Sequence, residues 1–252
     1  MNGATIFRFL CGLKLEFSEF DWLENRGLSE FELLISVILT QNTNWNNVLK
    51  ALENVRKAKI QSLETLNELE IEQIAELIKP SGFYNQKAKR LKGFVERLLS
   101  EFESLENFKE NVSRQWLLSV KGLGFESVDS ILNYLCQREI LVVDSYTNRL
   151  AIALGYEFES YEELREFFQS GIEEGQDTLC ECLKNSGFVG FKGKNLLSSK
   201  TTNSKSKDSK GKKFALYELY QIFHAQIIAF GKAYFKGKNL NDEGKKLLAK
   251  LS

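Results

Sequence analysis

A turn with two glycines is the part of this sequence best suited to binding an anion. It separates two helical patterns and consists of Lys121, Gly122, Leu123 and Gly124. Two glycines on either side of an apolar residue fold the helices over that residue and leave backbone N–H groups uncovered. Beside the N-terminus of the second helix, these groups suit a phosphate. An ordinary corner between two helices also uses glycine, so the turn alone leaves both interpretations open.

The carboxylate of Asp144 follows this turn by 20 residues and comes directly after a short apolar run, Leu141–Val143. Three apolar residues before an aspartate indicate a buried approach to a helix rather than a strand. Aspartate is a preferred N-cap residue, because its side-chain oxygen accepts a hydrogen bond from the first helical turn. We therefore expect a helix to begin after Asp144.

The elements that position these residues are predicted to be helices. Only one proline, Pro80, is present, and apolar residues recur at helical spacing almost throughout. One such stripe contains Phe31, Leu34, Ile35, Ile38 and Leu39, and others run through 63–78, 88–102, 116–118, 128–135 and 215–230. Short polar turns and the lack of an internal period favour a packed helical protein over a repeat array. The sequence therefore predicts an all-α fold.

Composition and charge narrow the class of protein further. With 252 residues, 43% of them hydrophobic, the chain can bury a core as one unit or as two lobes. Lys+Arg and Asp+Glu both number 34, so the net charge does not itself indicate a nucleic-acid partner. The charges are segregated, however, because acidic residues dominate 156–181 and eight lysines lie within 191–213. We expect the low-complexity segment 190–213 to be a disordered loop whose charge suits a polyanion.

The cysteines and the hydrophobic runs indicate the cellular compartment in which the protein works. The four cysteines show no spacing typical of a secreted disulfide framework, and the N-terminus lacks a basic region and a cleavage site. Charged or amide side chains interrupt every apolar run before it reaches the roughly 18 residues of a membrane span. We expect a soluble protein of the reducing cytoplasm, associated with the nucleoid and without a membrane partner.

Three motifs in order along the chain resemble one known family. They are the segment 39–43 (Leu-Thr-Gln-Asn-Thr), the segment 81–91 (Ser-Gly-Phe-Tyr-Asn-Gln-Lys-Ala-Lys-Arg-Leu), and the hairpin followed by Val142-Val143-Asp144. Together they resemble the helix-hairpin-helix DNA glycosylases of the endonuclease III superfamily. The family's Gly/Pro-rich stretch before the aspartate is missing here, since 136–140 reads Cys-Gln-Arg-Glu-Ile. The resemblance implies two helical lobes, 28–138 and 1–27 with 139–252, and an active site in the cleft between them.

The resemblance also implies the chemistry. Asp144 would stabilise the positive charge that develops on the deoxyribose as the base departs, and would orient or deprotonate the attacking water. This role and that of helix N-cap can coexist. Bifunctional members carry a nucleophilic lysine two positions after the second hairpin glycine, where this chain has Glu126. A carboxylate cannot form an imine, so we expect a monofunctional enzyme.

Neither a metal nor a cofactor is expected. Iron-sulfur members of the superfamily carry four closely spaced cysteines near the C-terminus. This chain has only Cys180 and Cys182 in that region, and a C-x-C pair cannot supply four ligands.

The missing lysine and cluster make the chain similar to the bacterial 3-methyladenine DNA glycosylase branch. The resemblance implies a base pocket with Trp45 as a stacking face, Trp22 as a candidate second wall, and Lys232 on the terminal helix. The only histidine, His224, lies on the same helix and is as easily explained by core packing. Contacts with double-stranded DNA are expected from Gln41 and from the hairpin residues Lys121, Gly122, Leu123 and Gly124.

Two other interpretations remain open at this stage. One is an endonuclease III-like glycosylase/lyase acting on oxidised pyrimidines, which Glu126 disfavours. The other is a non-catalytic helix-hairpin-helix module, in which Asp144 is only a cap. We expect a monomer that removes alkylated purines from damaged duplex DNA.

Overall fold

The structure is a computed structural model that describes residues 1–15, 28–186 and 214–251. The chain divides into two compact units: a terminal unit, Met1–Arg26 with Gln137–Ser252, and a central unit, Gly27–Cys136. The sequence placed the end of the central lobe at 138, two residues later. The unit ends at Cys136, and the next residue, Gln137, has a positive φ of 54° that marks the turn out of the preceding helical segment. The predicted loop 190–213 lies outside the described residues, as does Trp22.

The described elements are almost all helices, as the apolar spacing predicts. In chain order they are α1 (Gly3–Gly12), α2 (Glu30–Leu39), α3 (Trp45–Lys57), α4 (Leu63–Asn67), α5 (Ile71–Leu77), α6 (Tyr84–Phe102), α7 (Leu105–Asn111), α8 (Arg114–Leu118), α9 (Phe125–Ser130), α10 (Ser145–Ala153), α11 (Tyr161–Gln169), α12 (Gln176–Asn185), α13 (Leu216–Tyr234) and α14 (Asp242–Leu248). A 3-10 turn at Lys79–Ser81 precedes α6, and a π-helical segment at Ile131–Leu135 continues α9. The all-α prediction is confirmed.

The central unit packs around the apolar faces of α2, α3 and α6. All five residues of the stripe predicted in α2, from Phe31 to Leu39, are buried. They meet the buried faces of α3 (Val48, Ala51, Leu52, Val55) and α6 (Leu91, Phe94, Val95, Leu98). Polar residues begin these helices: Ser29 and Glu32 form a capping box on α2, and Asn44 caps α3.

The terminal unit is organised around α13. The buried residues of α13 contact α10 on one side and α1 on another. Phe7 of α1 and Phe168 of α11 both pack against Phe223 of α13, with ring centroids 5.2 and 6.0 Å apart. The N-terminal turn of α1 approaches α11 so closely that a Cβ atom at Gly3 would lie 1.7 Å from the carbonyl oxygen of Phe168. This packing fixes the helix that carries His224 and Lys232.

Two local features differ from the sequence expectation. The apolar pattern over 63–78 forms two helices, because Glu70 begins α5 with a capping box in which its backbone N–H donates to Gln73 Oε1 at 2.8 Å. A short antiparallel pair, β1 (Phe235–Lys236) with β2 (Asn239–Leu240), follows α13. The turn between its strands contains Gly237 at a φ of 64°, a conformation that favours glycine.

No helix within the described ranges is long and apolar enough to cross a membrane.

Candidate active site and nucleic-acid interface

Asp144 is the N-cap of α10, as the sequence predicts. Its backbone is extended, with φ −137° and ψ −169°. The carboxylate oxygen Oδ1 accepts hydrogen bonds from the backbone N–H of Thr147 at 2.9 Å and from its hydroxyl at 3.0 Å. The hydroxyl of Thr147 in turn accepts from the N–H of Asp144 at 3.1 Å. One oxygen of Asp144 is therefore fixed by the cap, while Oδ2 takes no part in it.

The chain before Asp144 is anchored within the same unit. Leu141, Val142 and Val143 are fully buried and form no strand. The N–H of Leu141 donates to Oε1 of Gln169 at 3.1 Å, so a side chain of α11 satisfies this buried donor. Burial of the apolar run and its anchoring to α11 set the position from which the Asp144 side chain projects.

His224 of α13 faces the second oxygen of Asp144. Its Nε2 atom lies 3.8 Å from Asp144 Oδ2, and the side chains of His224 and Asp144 are only 11% and 12% exposed. Burial raises the pKa of Asp144, but the neighbouring His224 and the two hydrogen bonds from Thr147 lower it by more. The net pKa lies below the usual value of an aspartate. The side chain is therefore a buried carboxylate at neutral pH.

A glycine brings α10 and α13 together beside this pair. A Cβ atom at Gly231 would lie 2.1 Å from Cδ1 of Tyr146, so the tyrosine ring fits only because position 231 has no side chain. The guanidinium of Arg149 lies over the same ring, 5.0 Å from its centroid. This contact holds the first turn of α10, which Asp144 caps, against α13.

Lys232 is the next residue along α13 and is exposed in the last turn of that helix. A lysine at this position stabilises the helix by facing the negative end of its dipole. Its predicted role at the base pocket stays a prediction.

The glycine turn in the central unit joins α8 to α9, as expected for a helix-hairpin-helix. Leu123 is buried beneath the turn, and Gly122 adopts a positive φ of 94°. A Cβ atom at Gly122 would also lie 2.6 Å from Cδ of Arg90, so glycine is needed here for both conformation and space. Gly124 begins α9 without a side-chain cap, and Lys121 is exposed.

Gln41 is bound to this hairpin through its side chain. Its amide Nε2 donates to the carbonyl of Gly122 at 3.0 Å and to the hydroxyl of Ser127 at 3.2 Å. Its Oε1 accepts from Nη1 of Arg90 at 2.9 Å. Gln41 is predicted from the sequence to lie at the DNA interface, and in the structure it makes these internal contacts, which fix the hairpin relative to α2 and α6.

Lys87 is a buried cation that the sequence analysis did not single out. Its Nζ donates to the carbonyls of Leu39 and Ser81, both at 2.7 Å. Burial, with a smaller contribution from the charge of Arg90, lowers the pKa of Lys87 to about 8. The two bonds join the end of α2 to the turn before α6. A lysine four residues after an exposed turn gives no sequence signal for burial, since the pattern resembles that of a surface helix.

Phe83 is a second residue that the sequence did not single out. It begins α6 in the left-handed region, with φ 46° and ψ 30°, and is 68% exposed. A non-glycine residue in this conformation costs roughly 1–2 kcal/mol, so the backbone at Phe83 is strained. An aromatic residue directly after a turn glycine is the signal that could have identified it.

The remaining predicted residues are distributed over both units. Trp45, the first residue of α3, is half-buried in the central unit, whereas Asp144, His224 and Lys232 belong to the terminal unit. Glu126 is exposed in the first turn of α9. Within the described ranges no cluster of three or more His, Cys, Asp or Glu residues could hold a metal ion.

Comparison with known proteins agrees with this architecture. Residues 35–174 match the HhH-GPD superfamily of base excision DNA repair proteins. The structure of H. pylori 3-methyladenine DNA glycosylase (MagIII), bound to 1,N6-ethenoadenine, is 35% identical, with 94% of this chain and 100% of that chain covered and a TM-score of 0.77.

Two curated relatives extend the comparison. A Methanocaldococcus jannaschii protein named as a DNA repair glycosylase is 36% identical over 57% of this chain and 69% of that protein. Endonuclease III of Thermotoga maritima is 28% identical over 50% of this chain and 57% of that enzyme. The family resemblance inferred from the hairpin and the aspartate is confirmed. The chain therefore belongs to the HhH-GPD superfamily of base excision DNA repair proteins.

Proposed function

We propose that this protein is a monofunctional DNA glycosylase that hydrolyses the N-glycosidic bond of alkylated purines such as 3-methyladenine. The observation that carries the proposal is the buried carboxylate of Asp144. One of its oxygens is fixed by Thr147, the other faces His224, and its pKa is held below the usual value.

The chemistry follows from the charge of this group. As the base departs, positive charge develops on the deoxyribose, and a fixed carboxylate stabilises it without having to reorganise. Oδ2 of Asp144 is the oxygen outside the cap, and it can also orient a water toward the sugar carbon. A low pKa suits electrostatic stabilisation, because the group stays ionised through the reaction.

Hydrolysis without strand cleavage is proposed on the basis of Glu126. This residue occupies the position of the nucleophilic lysine in bifunctional relatives, and a carboxylate cannot form a Schiff base. The enzyme would then release a base and leave an intact strand with an abasic site.

DNA binding is proposed for the hairpin and for Phe83. The backbone around Gly122 and Gly124, together with Lys121, offers N–H groups and a positive charge for phosphate. A glycosylase must also turn its target nucleotide out of the duplex. The exposed ring of Phe83, held in a strained backbone at the start of α6, suits a wedge that fills the space left in the base stack.

Selection of an alkylated purine is proposed for an aromatic pocket that includes Trp45. Alkylation at N3 gives adenine a formal positive charge, which weakens the glycosidic bond and is attracted to an indole face. Lys232 and Trp22 remain the proposed further members of the pocket. The H. pylori relative, whose structure contains 1,N6-ethenoadenine, lends support to a purine substrate.

The decisive experiment identifies the bases released from methylated duplex DNA by the wild-type protein and by Asp144→Asn. We expect 3-methyladenine from the wild type and at least a hundredfold slower release by the variant. Asp242→Asn is the matched control, since the carboxylate of Asp242 in the first turn of α14 is 91% exposed and pairs with the exposed Lys245. Strand nicking on oxidised pyrimidines would instead assign a glycosylase/lyase, and binding without base release would assign a non-catalytic module.

A further inference from the structure

A basic groove runs along α6 in the central unit, and only its hairpin end, at Lys121, has a role in the function proposed above. Its volume is about 670 Å³, and its lining includes Gln86, Lys89, Arg90 and Arg97 of α6 with Ser119 and Lys121 of the hairpin. Its lining contains four cationic side chains and no carboxylate. Since the whole chain has equal numbers of acidic and basic residues, this concentration of positive charge is local.

Of the four cations of the groove, the two arginines are bound to other side chains, and Nη1 of Arg90 donates to Oε1 of Gln41 at 2.9 Å. Arg97 is held in place: its Nε donates to Glu101 at 2.7 Å, its Nη1 donates to the hydroxyl of Ser119 at 2.9 Å, and its guanidinium lies 4.5 Å from the ring of Trp116. By contrast, the exposed ammonium groups of Lys89 and Lys121 make no hydrogen bond or ion pair with any other residue that the structure describes.

Two exposed lysines of the central unit outside the groove are instead neutralised by acidic neighbours. Lys57 pairs with Glu53 at 2.7 Å, and Lys79 pairs with Glu76 at 3.2 Å. The groove therefore combines an oriented guanidinium with two ammonium groups whose charge is available to a ligand.

The spacing of the groove-lining residues along α6 fits the repeating phosphates of a DNA strand. One face of α6 carries positions 86, 89, 90, 93 and 97, and the eleven helical steps from 86 to 97 extend about 16 Å. Each strand of a duplex carries one phosphate charge per about 3.4 Å of axis, so several consecutive phosphates can lie within that length. The exposed Gly93 in the middle of this face leaves room for a backbone to approach.

We propose that this groove binds the phosphodiester backbone of the DNA duplex at phosphates beyond those bound by the hairpin turn. The inference rests on the proposed function, because it takes a DNA duplex as the ligand. Lys121 stands where the turn and the groove meet, so a strand held at the hairpin can continue along α6 to Lys89 and Arg97.

The test measures the affinity for a duplex with a stable abasic analogue over a range of salt concentrations. Each phosphate contact contributes a slope of about −0.9 to the plot of log K against log salt. Lys89→Gln should make the slope less negative by about that amount, and Lys89→Arg should retain it. Lys57→Gln, which removes an exposed but paired charge, should leave the slope unchanged.

Single methylphosphonate substitutions in the duplex then locate the contact. One neutral linkage should weaken binding by the wild type and have no effect on Lys89→Gln. Equal slopes for Lys89→Gln and Lys57→Gln would overturn the proposal.

Base release from methylated DNA, measured on the same preparations, separates this proposal from the function above. If the wild type releases bases and Lys89→Gln has the same salt slope as the wild type, the proposed role of the groove is rejected and the glycosylase activity stands. A Lys89-dependent slope without base release would reject the glycosylase and support the groove.

Discussion

The carboxylate oxygen Oδ2 of Asp144 lies 3.8 Å from Nε2 of His224, and both side chains are nearly buried. Asp144 caps α10 and His224 lies within α13, so two different helices of the terminal unit bring them together. Thr147 fixes the other oxygen of Asp144, so the carboxylate is held from two directions. Substitutions at Asp144 can therefore test its charge separately from its capping role, and a substitution at His224 can test its pKa.

Asp144→Asn should abolish most excision without destabilising the fold. Asparagine caps helices about as well as aspartate, whereas alanine at an N-cap costs about 1 kcal/mol. We therefore expect Asp144→Asn to lose at least a hundredfold in single-turnover excision while its urea denaturation midpoint changes little. Asp144→Ala should lose both activity and stability. An asparagine variant that retained wild-type turnover would reduce Asp144 to a cap.

Replacing His224 should shift the acid limb of the pH–rate profile. The pKa of Asp144 lies below its ordinary value near 3.9, so the carboxylate needed for excision is ionised above this lowered pKa and becomes protonated as the pH falls through it. His224 lowers that pKa, and His224→Gln should therefore move the acid limb of excision to higher pH. Loss of activity at every pH with an unshifted limb would indicate that His224 acts only through packing.

Trp45 should be required as an aromatic face. Trp45→Ala should slow excision of 3-methyladenine, because an indole attracts a flat cation by roughly 0.5–2 kcal/mol more than an aliphatic contact does. Trp45→Phe keeps a π-face and should retain much of the rate. The measurement compares, for both variants, the release rate of 3-methyladenine with that of a neutral oxidised pyrimidine. If neither Trp45→Ala nor Trp45→Phe slowed excision, Trp45 would not be part of the base pocket.

Phe83 should matter for base extrusion and not for folding. Phe83→Gly removes the exposed ring and at the same time relieves the cost of a positive φ, so its unfolding free energy should not fall below that of the wild type. Its affinity for a duplex with an abasic analogue should drop at least severalfold. Phe83→Leu, which keeps an apolar wedge, should bind closer to the wild type. Full affinity in the glycine variant would exclude a wedge at this position.

Borohydride should trap no covalent complex between this protein and damaged DNA. An imine requires an amine at the position that Glu126 occupies, and a carboxylate cannot provide it. Gel electrophoresis after reduction, with an endonuclease III as the positive control, measures the adduct. A trapped band would show that a lysine elsewhere in the chain attacks the sugar.

The sequence by itself determined the features that depend on neighbours along the chain. The helical spacing of apolar residues predicts α2 and α13, and the stripe from Phe31 to Leu39 is buried throughout. The aspartate after an apolar run predicts the cap at Asp144, and the glycines predict the turn at Gly122. These conformations follow from backbone sterics and first-turn hydrogen bonds, which a local pattern specifies.

Only the tertiary structure decided which distant groups meet. The approach of His224 to Asp144, the bonds from Gln41 to Gly122, and the burial of Lys87 all join segments far apart in the chain. A lysine or glutamine on a helix is equally consistent with a solvated face and with a buried contact. Its partners depend on how the apolar faces pack, because packing determines which polar groups lose water and must bond to each other.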